Sequence, residues 1–153
     1  MNLPSAQLSY RRAAVQDASP VGLVVILYDL LIDDLRRAIQ AMQQGAIEGR
    51  SKHLKHGLLV LLVLESGLDM ENGGSAAQNL AAFYAWVRNQ ILHAQFQRDT
   101  AILERQVELI FDVRAAWCSA EASPKSDVLV SSEVGAAQMA DHPDSSETSQ
   151  FFA

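Results

Sequence analysis

The sequence predicts an all-α protein, an antiparallel up-down four-helix bundle with an N-terminal arm and a mostly disordered acidic C-terminal tail. Four segments repeat apolar residues at alternating spacings of four and three, the period of one helix face. Short breaks separate them, and long helices joined by short connections pack most simply as antiparallel neighbours. The chain has 153 residues, 49% of them hydrophobic. That is enough for one core without help from disulfides or a metal. The division expected is an arm over residues 1–18, a bundle over 19–120 and a tail over 121–153.

The arm spaces Leu3, Leu8, Tyr10 and Val15 widely, too few to form a core but enough to dock onto one. The first bundle helix begins at Ser19-Pro20, where a hydroxyl can cap free N–H groups and proline takes the first helical position. It runs to about Gly45, with Val24, Tyr28, Leu31, Leu35, Ala38 and Met42 on one stripe. Asp29, Asp33, Arg36, Gln40 and Gln43 form a polar stripe of the same period. The second helix spans about 47–68, with Leu54, Leu58, Leu61, Leu64 and Leu68 on its main face, and stops at the Asp69 to Gly74 breaker cluster. Its middle, residues 58–64, is apolar all the way round. Either this turn sits at the bundle centre, the simpler expectation, or part of it lines an open groove awaiting a partner. The third helix, about 75–97, carries Leu80, Tyr84, Val87, Ile91 and Ala94, with Phe83 and Trp86 beside them. After Arg98-Asp99, a fourth helix capped by Asp99 or Thr100 carries Leu103, Val107, Ile110, Val113 and Trp117 and fades near Ala120.

Charge and composition exclude several function classes. Twelve Lys and Arg against eighteen Asp and Glu give a net charge of −6, which argues against a nucleic-acid partner held by phosphate neutralisation. The imbalance lies in the tail, where residues 121–153 hold six acids and one lysine. In that tail only 128–130 and the terminal Phe151-Phe152 offer weak docking contacts. The N-terminus lacks a signal-peptide pattern and the longest apolar run is too short to span a bilayer, so a cytoplasmic protein without membrane insertion is expected. Cys118 is the single cysteine and reads as a small apolar residue.

No catalytic constellation emerges. A di-iron bundle needs Glu-x-x-His pairs, and none of Glu48, Glu65, Glu104 or Glu108 has a histidine three residues on. His53 and His56 share a helix face, but no carboxylate or cysteine is placed by sequence to complete a metal site, so they read as a solvated pair in a mildly basic helix start with Lys52 and Lys55. His93 reads as a packed or half-exposed histidine. Phosphate-binding glycine loops are absent. The expectation is a binding protein without catalysis, cofactor or metal.

The residues Tyr10, Val15, Ala18-Ser19-Pro20, Leu23 and Leu27-Tyr28-Asp29 resemble the N-terminal signature of the flagellin-specific secretion chaperones of bacteria, the FliS family. In that signature a tyrosine-bearing arm leads to Ala-Ser-Pro and then to Leu-Tyr-Asp. Asn79-Leu80, Phe83-Tyr84 and Ile91-Leu92-His93-Ala94 match in order, as do Asp99, Leu103, Val107 and Val113 to Trp117, so the resemblance covers about residues 8–118. Asp17, Leu30 and Gln95 stand where the family usually has Thr, Gly and Asn.

The resemblance implies a cytoplasmic chaperone that binds the disordered C-terminal segment of flagellin, blocks its premature polymerisation and delivers it to a component of the flagellar export gate. Residues expected to meet the partner are Leu8, Tyr10, Val15, Leu27, Tyr28, Asp29, Leu61, Leu64, Leu80 and Tyr84. Tyr28, Leu80 and Tyr84 also lie on apolar stripes, where a core role is the simpler reading. Asp29, on the polar stripe, is expected to contact the arm. The arm around Leu8 and Tyr10 is expected to cover part of the groove until flagellin binds. The free protein is expected to be a monomer or weak homodimer. Two alternatives stay open, a self-associating helical adaptor and a helical enzyme without a recognisable site.

Overall fold

The structure is a computed structural model that describes residues 3–122, with side chains described from residue 6. The described residues form five helices and no strand: α1 (Leu3–Asp17), α2 (Pro20–Gln43), α3 (Ile47–Ser66), α4 (Gly74–Gln97) and α5 (Thr100–Ala122). The four expected bundle helices appear within about two residues of their sequence boundaries, because the caps that mark them operate. Ser19 Oγ accepts from Gly22 N–H at 3.0 Å, with Pro20 at the first helical position of α2. Asp99 Oδ1 accepts from Ala101 N–H at 2.9 Å at the start of α5. The expected tail lies outside the described residues beyond Ala122, so its order and the Phe151-Phe152 contact do too.

The N-terminal arm is a helix. Its apolar residues stay largely uncovered, with Leu8 61%, Tyr10 77% and Val15 44% exposed, instead of docking as their spacing suggested. They lie too far apart to form one apolar face, so α1 reaches α2 mainly through Arg11 and Asp33, 3.4 Å apart.

Helices α2, α3, α4 and α5 share one core. Tyr28, Leu31 and Leu35 from α2 meet Leu54, Leu61 and Leu64 from α3, Tyr84, Val87 and Ile91 from α4, and Leu103 and Ile110 from α5. Full burial of each large aliphatic side chain contributes about 1.5–3 kcal/mol. The α2 and α3 backbones approach closest, and small residues permit it. A Cβ on Gly57 would lie 3.4 Å from Leu31 Cδ1 and 3.6 Å from the Cβ of Asp34, while one on Gly49 would lie 3.4 Å from the Cβ of Ala41. The partner index on α3 falls as the α2 index rises, so these two helices run antiparallel.

The α3–α4 turn is built on Asp69. Its carboxylate accepts from the backbone N–H groups of Asn72 at 3.0 Å and Glu71 at 3.2 Å, and from the Asn72 amide at 3.0 Å. The Asn72 hydrogen bonds hold the Asp69 carboxyl below its ordinary range. Gly73 closes the turn, since a Cβ there would sit 2.4 Å from the Asp69 carbonyl oxygen and 2.6 Å from the Ala77 Cβ.

Candidate functional site

The apolar middle of α3 divides into two faces. Val60, Leu61 and Leu64 point into the core, whereas Leu59, Leu62 and Val63 are 51%, 56% and 50% exposed. The simpler expectation, burial at the bundle centre, therefore does not hold for the outer half of this turn. Spaced three and four apart, Leu59, Leu62 and Val63 form one outward stripe. Beside it an open groove of about 680 Å³ runs between α3 and α4, with Leu58, Leu59 and Leu62 as its apolar wall and Lys55, Glu65, Arg88 and Gln95 as its polar one. An ion pair between Arg88 and Glu65 ties the two helices along it. Further along α4, Trp86, Leu92 and Phe96 are exposed, Phe96 by 88%.

A second groove, about 320 Å³, lies between α1 and α2. Tyr10, Ala14 and Val15 face Ile26, Asp29 and Leu30 across it. This lining is mostly apolar, and Arg11 with Asp33 closes one side.

The sequence-predicted residues separate by exposure. Leu8, Tyr10 and Val15 are exposed on α1, and Leu27 and Leu80 are half-buried against the core. Tyr28, Leu61, Leu64 and Tyr84 are buried. The two tyrosines form a polar knot between helices, with Tyr28 Oη 2.5 Å from Tyr84 Oη and accepting from Trp117 Nε1 of α5 at 3.3 Å. Burial raises both phenol pKa values, and the Tyr28 hydroxyl raises that of Tyr84 further.

Asp29 lines the groove beside the arm, but its hydrogen-bond partner is on α5 and not on the arm as expected. Its carboxylate takes a two-point contact from Arg114 of α5, Nε to Oδ1 at 2.5 Å and Nη2 to Oδ2 at 3.1 Å. This hydrogen bonding raises the Arg114 pKa. The arm instead engages Asp33, one turn further on. A fork-shaped guanidinium matches a carboxylate better at Asp29 than any long-range inference from spacing could have foreseen.

Of the pair expected to be solvated, His56 is exposed and His53 is half-buried, and both meet a carboxylate. Asp34, 7% exposed on α2, faces both, with His53 Nδ1 at 3.4 Å and His56 Nδ1 closer on the other carboxylate oxygen. Sequence reasoning missed this carboxylate because it lies 19 and 22 positions away, on another helix. Among the described residues, no group of three or more His, Cys, Asp or Glu is arranged to hold a metal ion. Cys118 Sγ lies 3.7 Å from Arg114 Nη1. Among the described residues, no helix is long and apolar enough to cross a membrane.

The family model described as flagellar protein FliS matches residues 2–124. The flagellar secretion chaperone FliS of Vibrio cholerae is 33% identical over 131 residues, covering 83% of this chain and 95% of that protein. Its counterpart from Salmonella typhimurium is 31% identical over 121 residues, covering 78% and 87%, and that of Bacillus subtilis is 24% identical over 127 residues, covering 83% and 94%. Similarity of this extent, running through the arm helix and the whole helical core, places the chain in the FliS family of flagellar secretion chaperones.

Proposed function

We propose that this protein is a cytoplasmic secretion chaperone that binds the C-terminal segment of flagellin in its apolar grooves, prevents premature polymerisation and hands the subunit to the flagellar type III export apparatus. The observation that carries this reading is the exposed stripe Leu59, Leu62 and Val63 beside the α3–α4 groove, on a chain of the secretion-chaperone family. An amphipathic partner segment lays its apolar side on such a stripe and gains helical structure there. Ordering that segment costs about 2–5 kcal/mol, which keeps a large contact releasable at the export gate. The protein acts by binding and not by catalysis.

Within this reading the partner contacts of the core residues are indirect. Tyr28, Leu61, Leu64 and Tyr84 fix the spacing of the helices, while Leu27 and Leu80 lie at half-buried margins from which a docked segment can reach them. Helix α1 is held to α2 by one exposed ion pair and few apolar contacts, so it is the element that yields when flagellin binds. Leu8, Tyr10 and Val15 then become available to flagellin or to the export gate, and Asp29 with Arg114 keeps α2 and α5 aligned beneath them.

The test is size-exclusion chromatography with light scattering, run on the protein alone, with flagellin and with flagellin lacking its C-terminal segment. A one-to-one complex formed only with intact flagellin is expected, and Leu62→Glu should abolish it while leaving the helical spectrum unchanged. A tight dimer indifferent to flagellin would overturn the proposal in favour of self-association through the same stripe.

A further inference from the structure

The outward face of α3 changes character along its length. Towards its C-terminal end it carries Leu59, Leu62 and Val63, whereas the preceding turns carry Lys52, Lys55 and His56. These basic residues open onto a cavity of about 450 Å³ bounded by α1, α2 and α3. Arg11, Arg37, Lys52, Lys55, His53 and His56 line it, with Leu30 and Leu59 as its apolar part and Asp33 and Asp34 as its acids.

Both acids are already engaged. Arg11 binds Asp33, and His53 and His56 bind Asp34, which sits nearly buried at the close α2–α3 approach. Among the described residues, Arg37, Lys52 and Lys55 have no ion-pair partner. Three cations without an ion-pair partner thus converge on one concave site, where Asp34 is the one lining carboxylate not paired with a Lys or Arg, in a chain whose net charge is −6. A fully solvated helix face of random composition would intersperse signs. Clustered, unpaired cations around a recess attract and orient an anionic partner.

From this charge arrangement we infer that the α1–α2–α3 cavity is a docking site for an acidic segment of a partner polypeptide. Charge complementarity selects the carboxylates, and Leu30 with Leu59 accepts an apolar side chain between them. The cavity adjoins the apolar groove, since Lys55 and Leu59 line both. A partner segment that is apolar at one end and acidic at the other would therefore run along α3 in one direction only. The basic site supplies register and encounter rate, and the apolar stripe supplies most of the affinity. This inference stands on the cavity's charges and does not require the partner to be flagellin.

The test uses the full chain and a fluorescein-labelled twelve-residue peptide repeating Glu-Glu-Leu, with a Lys-Lys-Leu repeat as control, followed by anisotropy at low and physiological salt. The acidic peptide should bind and the basic one should not, with affinity falling as salt rises. The double variant Lys52→Glu/Lys55→Glu should weaken binding by about tenfold or more, and Arg37→Gln by about two- to threefold. Lys52→Gln/Lys55→Gln guards against misfolding, since it removes charge without adding repulsion and should still show the loss. Acidic-peptide affinity unchanged in these variants, or equal binding of the basic peptide, would overturn the inference. Two further outcomes reassign the occupant and equally defeat a partner segment. One is a salt-sensitive dimer in light scattering that competes with the peptide. The other is a tenfold gain in peptide affinity when Asp127, Glu133, Asp141, Asp144 and Glu147 are changed to their amides.

Discussion

Removing the Tyr84 hydroxyl tests whether the buried phenol pair is what holds α2, α4 and α5 in register. In the native protein Tyr28 Oη accepts from Trp117 Nε1 and is hydrogen-bonded to Tyr84 Oη at 2.5 Å, with both residues at most 1% exposed. In Tyr84→Phe the Tyr28 hydroxyl loses that buried partner and keeps its contact with Trp117. Leaving a buried polar group unsatisfied costs about 1–3 kcal/mol, whereas the net worth of the bond itself is only about 0.5–1.5 kcal/mol. Tyr28→Phe should cost at least as much, because it also removes the acceptor of the half-buried Trp117 N–H. The double variant should then cost less than the sum of the singles. Once the Tyr28 hydroxyl is gone, deleting that of Tyr84 removes an unsatisfied group and not a bond, and a coupling of about 1 kcal/mol is expected for residues in direct contact. Urea unfolding followed by far-UV circular dichroism measures all four corners of the cycle, provided the slope with urea is unchanged. Single variants within 0.5 kcal/mol of the native protein, with additive effects, would show that the pair is a packing contact only, and that its hydrogen bonds do not set the helix register.

Other consequences can be measured on the same material. Because burial raises both phenol pKa values, the native state holds its protons above pH 10 while the unfolded chain releases them. The associated stability is therefore complete below about pH 10 and lost as pH rises further, by up to about 1.4 kcal/mol per pH unit for each phenol; an alkaline melting series in which Tyr84→Phe is as steep as the native protein would contradict this. Gly73→Ala places a methyl group against the Asp69 carbonyl and Ala77, and should cost about 1–3 kcal/mol in thermal unfolding with little change in partner affinity. Leu61→Ala and Leu62→Ala should diverge. The first empties a fully buried site and costs about 2–5 kcal/mol, while the second, on the exposed stripe, costs little stability and weakens flagellin binding in titration calorimetry. Asp29→Ala should change stability by less than about 1 kcal/mol, since half of its carboxylate surface is exposed and solvent screens the pair with Arg114.

Helix boundaries and core stripes were legible because they depend on neighbours three or four residues apart. Ser19-Pro20, Asp99 and the Asp69 to Gly74 turn act locally, and local chemistry is written contiguously. What the sequence hid are contacts set by how one helix rotates against another. Asp34 belongs to neither stripe read from the α2 sequence, and the α2–α3 approach permitted by Gly57 presents it to His53 and His56. Asp29, on the polar stripe, is expected to contact the arm, and its ion pair with Arg114 of α5 depends on a helix 85 residues away that spacing cannot place.

The run over residues 58–64 is the instructive intermediate case, since its excess apolarity was visible while its partition between core and surface was not. A helix with three neighbours can cover three sides, but the core of this fold consumes only the side of α3 that carries Leu54, Gly57, Val60, Leu61 and Leu64. Leu59, Leu62 and Val63, on the opposite side, are about half exposed and add to the hydrophobic surface that a monomer must carry. The proposed intermolecular contact would account for their presence, and the basic turns that precede them on α3 would set the direction in which that contact runs. Leu62→Ala and Lys52→Gln/Lys55→Gln separate the two contributions. If the apolar stripe sets affinity and the basic turns set encounter, the first should raise the dissociation rate and the second should lower the association rate. Both variants acting on the same rate constant would mean that the face works as one undivided site.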